Sequence, residues 1–74
     1  MYRIRCITKQ DAEATRRALE KWGHSFREPR IRNRALAGQF VTRRSPEAYL
    51  RSAGLRIFGT RQDLTSTIRH RRRR

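Results

Sequence analysis

A chain of 74 residues has room for one small domain, and with hydrophobic and charged residues each at 35% its core must be compact. A domain of this size buries only about 60% of the surface its unfolded chain exposes, so marginal stability is expected. A single cysteine excludes an internal disulfide and a Cys-based zinc site. No apolar run reaches membrane-spanning length, and the N-terminus lacks the apolar stretch of a secretory signal. The formal net charge is +14, and every basic residue except Lys9 and Lys21 is arginine. So large a charge repels itself in a compact fold and makes sense where the partner is a polyanion. Arginine suits phosphate through its planar bidentate fork and stacks on bases.

Tyr2 to Ile7 alternates Tyr2, Ile4 and Cys6 against Arg3 and Arg5, the pattern of a strand with one buried face. Cys6 is expected to be a small core residue. Thr8 to Gly23 has a clear helical period. Ala12, Thr15, Leu19 and Trp22 share one face, with Ala18 beside them. Thr8 or Gln10 starts this helix, Asp11 and Glu13 lie near its positive end, and Gly23 stops it. Leu19 and Trp22 are expected in the core, the single Trp offering the largest area to bury.

His24 to Asn33 contains Pro29 and reads as an edge strand or two extended pieces. Leu36 to Thr42 reads as a strand, with Phe40 and Val41 on opposite faces. Gly38 marks a bulge or a close backbone approach. Ser45-Pro46-Glu47 then starts a short helix through Ala48, Tyr49 and Leu50 to Ala53, closed by Gly54. Leu55 to Phe58 alternates again and reads as the last strand, ended by Gly59-Thr60. Beyond it, Leu64 and Ile68 stand at helical spacing with Asp63 near a start, predicting a frayed third helix. The arginine run from 69 to 74 is expected to be disordered alone.

The expected architecture is therefore α+β, a two-layer domain in the order β-α-β-β-α-β over residues 1–60, followed by a basic, partly helical tail over 61–74. This order matches the ferredoxin-like supersecondary pattern. It puts the first and third strands in the middle and both helices on one face. The other face is left open, presenting Arg3, Arg5 and Arg56 with Phe40 or Val41, and Phe58.

Three basic clusters point to nucleic acid. The open face offers Arg3, Arg5 and Arg56 to phosphates and bases. A hairpin arm carries Arg27, Arg30, Arg32 and Arg34 and continues to Arg43 and Arg44, with Asn33 and Gln39 able to read base edges. The tail carries Arg69, Arg71, Arg72, Arg73 and Arg74, which condense on phosphate without sequence preference. His24 sits just past a helix end and His70 in the arginine run, and no phosphate loop, catalytic triad or metal cluster is present. The sequence thus predicts a cytoplasmic DNA- or RNA-binding protein, nucleoid- or ribosome-associated, that acts by binding alone, without cofactor, metal or membrane. A phage or plasmid regulator and a ribosome-associated protein both fit. The alternatives are a protein-interaction module that occupies an acidic nucleic-acid-binding groove, and a small toxin-type ribonuclease using His24. DNA against RNA, the target sequence and the oligomeric state are left open.

Overall fold

The computed structural model describes residues 1–68. Five strands form one mixed sheet in the order β2-β3-β1-β5-β4, with two helices packed on one of its faces. The strands are β1 (Tyr2–Cys6), β2 (Phe26–Arg27), β3 (Gly38–Thr42), β4 (Leu55–Gly59) and β5 (Asp63–Ile68), and the helices are α1 (Lys9–Lys21) and α2 (Glu47–Ser52). β1 is central. It pairs antiparallel with β3, Ile4 opposite Phe40, and parallel with β5, Ile4 opposite Leu64.

The expected α+β class holds, and β1 and β3 are adjacent interior strands as expected. The chain after β4 differs from expectation. The predicted tail helix is β5, which turns back on β4 as a hairpin and occupies the position beside β1. In the four-strand order that position falls to β4, which here is displaced to the edge. Gly59 makes the turn, with φ +110°, and a Cβ there would lie 2.1 Å from the carbonyl oxygen of Asp63. The turn is closed by the Thr60 N–H donating to that oxygen at 3.0 Å.

α1 begins at Thr8, whose hydroxyl accepts from the Asp11 N–H, while the Asp11 carboxylate accepts from the Thr8 N–H. This reciprocal cap satisfies two donors that a helix start leaves free. At the other end the Gly23 N–H reaches the Glu20 carbonyl and the His24 N–H reaches that of Leu19, a paired closure that stops the helix where the sequence predicts. α2 starts one residue later than expected: Pro46 is the cap residue, and the Ser45 hydroxyl accepts the Glu47 N–H at 3.5 Å.

The core lies between the helices and the inner sheet face: Ile4 and Cys6 from β1, Phe40 from β3, Ala12, Ala18 and Leu19 from α1, Leu50 from α2 and Leu55 from β4. Gly38 is the close approach read from the sequence, since a Cβ on it would stand 2.5 Å from that of Ala12. Trp22 corrects an expectation. It is the last residue of the α1 cap and is 51% exposed, its ring 5.8 Å from that of Tyr49, whereas Leu19 is fully buried. The helical period that aligns Trp22 with Leu19 runs out at the cap, and the core ends one turn earlier.

Polar side chains tie α1 to β5. The Thr15 and Ser66 hydroxyls, both inaccessible, are 2.7 Å apart, and Cys6 Sγ donates to Thr15 Oγ1. Burial pushes the Cys6 thiol up to about 11, so it is an inert core group, as expected. Asp11 Oδ1 accepts from the Ile68 N–H at 2.9 Å and from the Thr67 hydroxyl. Burial alone pushes the Asp11 carboxyl up. The Ile68 N–H and the bonds from Thr8 outweigh it and hold the carboxyl below its ordinary value.

Two stability outcomes are expected. Leu19→Ala should cost about 2–5 kcal/mol, as buried Leu truncations do, while Trp22→Ala forfeits mainly one aromatic pair, about 0.5–1.5 kcal/mol. Urea denaturation of both variants checks this, and an equal loss would place Trp22 back in the core. For Asp11 the folded state prefers the charged form, so its contribution is complete above the unfolded carboxylate value of about 3.9. It is lost as the pH falls through the lower folded value. Asp11→Asn should therefore flatten the acid limb of the stability–pH curve, and an unchanged limb would show that the cap carboxylate does not drive acid unfolding.

Candidate nucleic-acid interface

Strand alternation sends half of the sheet's side chains away from the helices, and no described element covers that face. The strand registers align them in rows. One row runs Arg27, Val41, Arg3, Asp63 across β2, β3, β1 and β5. The next runs Gln39, Arg5, Thr65, Phe58 across β3, β1, β5 and β4. Arg56, two residues before Phe58, lies with its guanidinium 5.2 Å from that ring's centroid. Arg3, Arg5 and Arg56 thus share the open face as expected. The apolar partners are Val41 and Phe58, since Phe40 is fully buried in the core.

β2 and β3 form the expected hairpin with a long loop, residues 28–37. Residues 28–35 are exposed, but the loop is tied down along its length. Asn33 organises its tip, its side-chain oxygen accepting the Ala35 N–H and its carbonyl the Leu36 N–H. The Ala37 N–H returns to the Cys6 carbonyl at the end of β1. At its base Glu28 pairs with Arg16 of α1, which lies over the Phe40 ring at 5.7 Å. So held, the loop brings Arg30 and Arg32 beside Arg3, Arg5 and Gln39 around a depression of ≈ 350 Å³. A neighbouring depression of ≈ 590 Å³ is lined by Arg3, Arg27, Glu28, Pro29, Gln39 and Val41.

Five guanidiniums, those of Arg3, Arg5, Arg27, Arg30 and Arg32, therefore border one shallow basic surface. Two acids touch it. Glu28 is held at the rim by Arg16, and Asp63 stands 3.9 Å from Arg3 and 4.0 Å from Arg5. Arg3, Arg5 and Asp63 are each about half exposed, so these pairs are screened and worth about 0–1 kcal/mol. Arg16–Glu28 and Asp63 escape sequence reading, because both depend on the placement of non-adjacent strands.

The remaining predicted residues separate. Arg34 is exposed in the turn at the loop's tip. Arg43 and Arg44 follow β3 at the end opposite the loop's tip, where Arg43 shares a depression with Arg27, so the expected arm divides between Arg30, Arg32 and Arg34 at one end of β3 and Arg27, Arg43 and Arg44 at the other. The Arg44 carbonyl accepts from His24 Nε2 at 3.2 Å and from the Thr42 hydroxyl at 2.7 Å. His24 is buried with its ring 4.9 Å from Tyr49, where it links α1, α2 and the turn after β3. Of the two base-reading candidates, Gln39 is on the open face, and Asn33, its side-chain oxygen engaged in the loop, lines the same depression. Arg69, Arg71, Arg72, Arg73 and Arg74 lie outside the described residues. No helix among the described residues is long and apolar enough to cross a membrane, and no group of three or more metal-ligating side chains occurs among them. Comparison with protein-family models, with curated proteins and with solved structures finds no match to this chain.

So concentrated a charge should depress stability at low ionic strength. The melting temperature should rise between low salt and about 0.3 M salt, where the screening length falls to well under 10 Å. A melting temperature indifferent to salt would mean that the arginines are compensated locally.

Proposed function

We propose that this protein binds nucleic acid through the open sheet face and the 28–37 loop, and that it acts by binding. One observation carries the reading: Arg3 and Arg5 from the central strand β1 and Arg27, Arg30 and Arg32 from the edge strand β2 and the loop after it converge on one helix-free surface. Solvent-facing arginines with no ligand have no physical reason to gather, since each addition raises the repulsion on the others. Phosphates relieve that repulsion, and release of their counterions adds to affinity. Val41, Gln39 and Phe58 give the same surface apolar and amide contacts for bases. Arg43 and Arg44 and the arginine run from 69 to 74 supply further phosphate contacts without sequence preference. A cytoplasmic setting, on the nucleoid or the ribosome, suits such a protein, as do the phage- or plasmid-regulator roles. The two-layer β-α-β-β-α-β body, ferredoxin-like in order apart from the inserted β5, serves as a rigid support for the basic face.

The test replaces Arg3, Arg5, Arg30 and Arg32 together by Gln in the full chain. Each phosphate contact contributes about 0.7 (single strands) to 0.9 (B-DNA) to the slope of log K against log salt, so four lost contacts lower the slope by roughly 3–4. Arg43→Gln with Arg44→Gln should lower it by less than 2 and leave discrimination between targets intact. Unchanged binding in the fourfold variant, with the fold verified by circular dichroism, would overturn this surface as the interface. Absence of binding to any nucleic acid by the native chain at low salt would favour a protein partner for the same basic face.

A further inference from the structure

The open face is not uniformly basic, and its division carries information about the ligand. The phosphate-seeking groups, Arg3, Arg5, Arg27, Arg30 and Arg32, gather over β3, β1 and the loop. The strip over β5 and β4 is different. Asp63 is an anion that a phosphate avoids, Thr65 is a half-buried hydroxyl, and Phe58 is an aromatic ring 48% exposed at the sheet's edge. The Arg56 guanidinium lies over that ring, so cation and phenyl form one stacking platform at the sheet's edge. We infer that the ligand is a single-stranded nucleic acid, DNA or RNA, whose backbone follows the β3–β1–loop side while a base stacks on the Phe58–Arg56 platform. This rests on the reading of the face as a nucleic-acid surface and specifies which form of nucleic acid it takes.

The geometry separates single strand from duplex. Arg5, Thr65 and Phe58 are register neighbours on consecutive strands, so the step from Arg5 to Phe58 is two strand spacings, roughly 10 Å. That is the reach of a nucleotide held at its phosphate by an arginine side chain, with its base turned toward the ring. In a duplex the bases are stacked inside and their faces are unavailable to Phe58, so a duplex leaves the ring exposed and brings phosphates near Asp63. Unstacked bases of a single strand present a π-face to any aromatic, which gives affinity with little sequence preference. Asp63, on β5 at 3.9 and 4.0 Å from Arg3 and Arg5, marks the border between the backbone and base sides.

The experiment compares the full chain's binding to one 20-nucleotide sequence as single-stranded DNA, single-stranded RNA and duplex DNA, by fluorescence anisotropy over a range of salt. Both single strands should bind more tightly than the duplex. Phe58→Leu removes the π-face but no charge. It should weaken single-strand binding about 5- to 100-fold, the range for one lost base–aromatic stack, with the salt slope and duplex binding unchanged. Phe58→Tyr should restore the affinity. Phe58 lies on an exposed edge, so both variants should melt near the native protein, and bromouridine cross-linking of the unmodified chain supplies an independent readout. The adduct should fall on the tryptic peptide Ile57–Arg61. A duplex bound as tightly as the single strands, an equal loss for both forms in Phe58→Leu, no loss, or an adduct elsewhere would each overturn the inference. These failures leave the basic surface as a nucleic-acid interface, because that reading is tested by the fourfold arginine variant. A native chain that binds none of the three ligands would overturn both.

Discussion

The position of β5 between β1 and β4 is what the remaining architecture depends on, and it is fixed from the helix side. Asp11, while capping α1, takes the Ile68 N–H at the end of β5, and Thr15 one turn later takes Ser66 from its middle. The Thr15–Ser66 contact is buried and the Asp11–Ile68 contact partly so, and no buried side-chain polar atom among the described residues is left without a partner. Polar atoms inside a small core are costly when unpaired, so these bonds favour one register of β5 against α1 over its neighbours. A slip of one residue would place Leu64 and Ser66 on the solvent side and turn Asp63 and Thr65 inward. The register therefore sets both faces of the sheet at once.

The distribution of the few acids follows a related logic. Asp11 is consumed by the cap, Glu47 pairs with Arg51 along α2, and Glu28 is drawn to Arg16. These three neutralise charge on the helices or at the rim. Only Asp63 reaches the centre of the open face, where it contacts two arginines without cancelling five. A field of one sign thus persists over one side of the molecule, while the opposite side carries the packed core and its helices. A polyanion, the partner proposed above, would be attracted directionally, toward that side.

Much of this was legible in the sequence where local chemistry decides. Alternation of Arg3 and Arg5 with Ile4 and Cys6 identifies β1 and its two faces, Thr8 and Gly23 bound α1, and Gly38 announces a close approach that Ala12 explains. What escaped was set by tertiary placement. Leu64 and Ile68 are four apart, a spacing common to one helical turn and to every second pair along a strand. The intervening Ser66, a small buried hydroxyl, hid the alternation. The β-branched Thr65 and Thr67 were the available signal for a strand. Trp22 is large but lies outside the core, because the helix that would carry it inward has already ended there. Arg43 and Arg44 are close to the loop arginines in sequence but follow the far end of β3, since a strand separates its two ends by its whole length.

A 74-residue chain has apolar side chains enough to cover one face of a five-stranded sheet with two helices. A larger domain covers both faces, and its outward strand residues become a second core. Here no described element covers that face, so the side chains on it are free of packing demands. The same economy explains why Val41 and Phe58 are tolerated there: isolated apolar groups on a charged surface cost little in folding. It also accounts for the loop. With β2 reduced to Phe26 and Arg27, the sheet edge next to β3 is short, and the 28–37 segment lies against the open face instead of extending the ladder. The shortness that weakens the sheet as a sheet thereby adds Arg30 and Arg32 to the surface that the strands began.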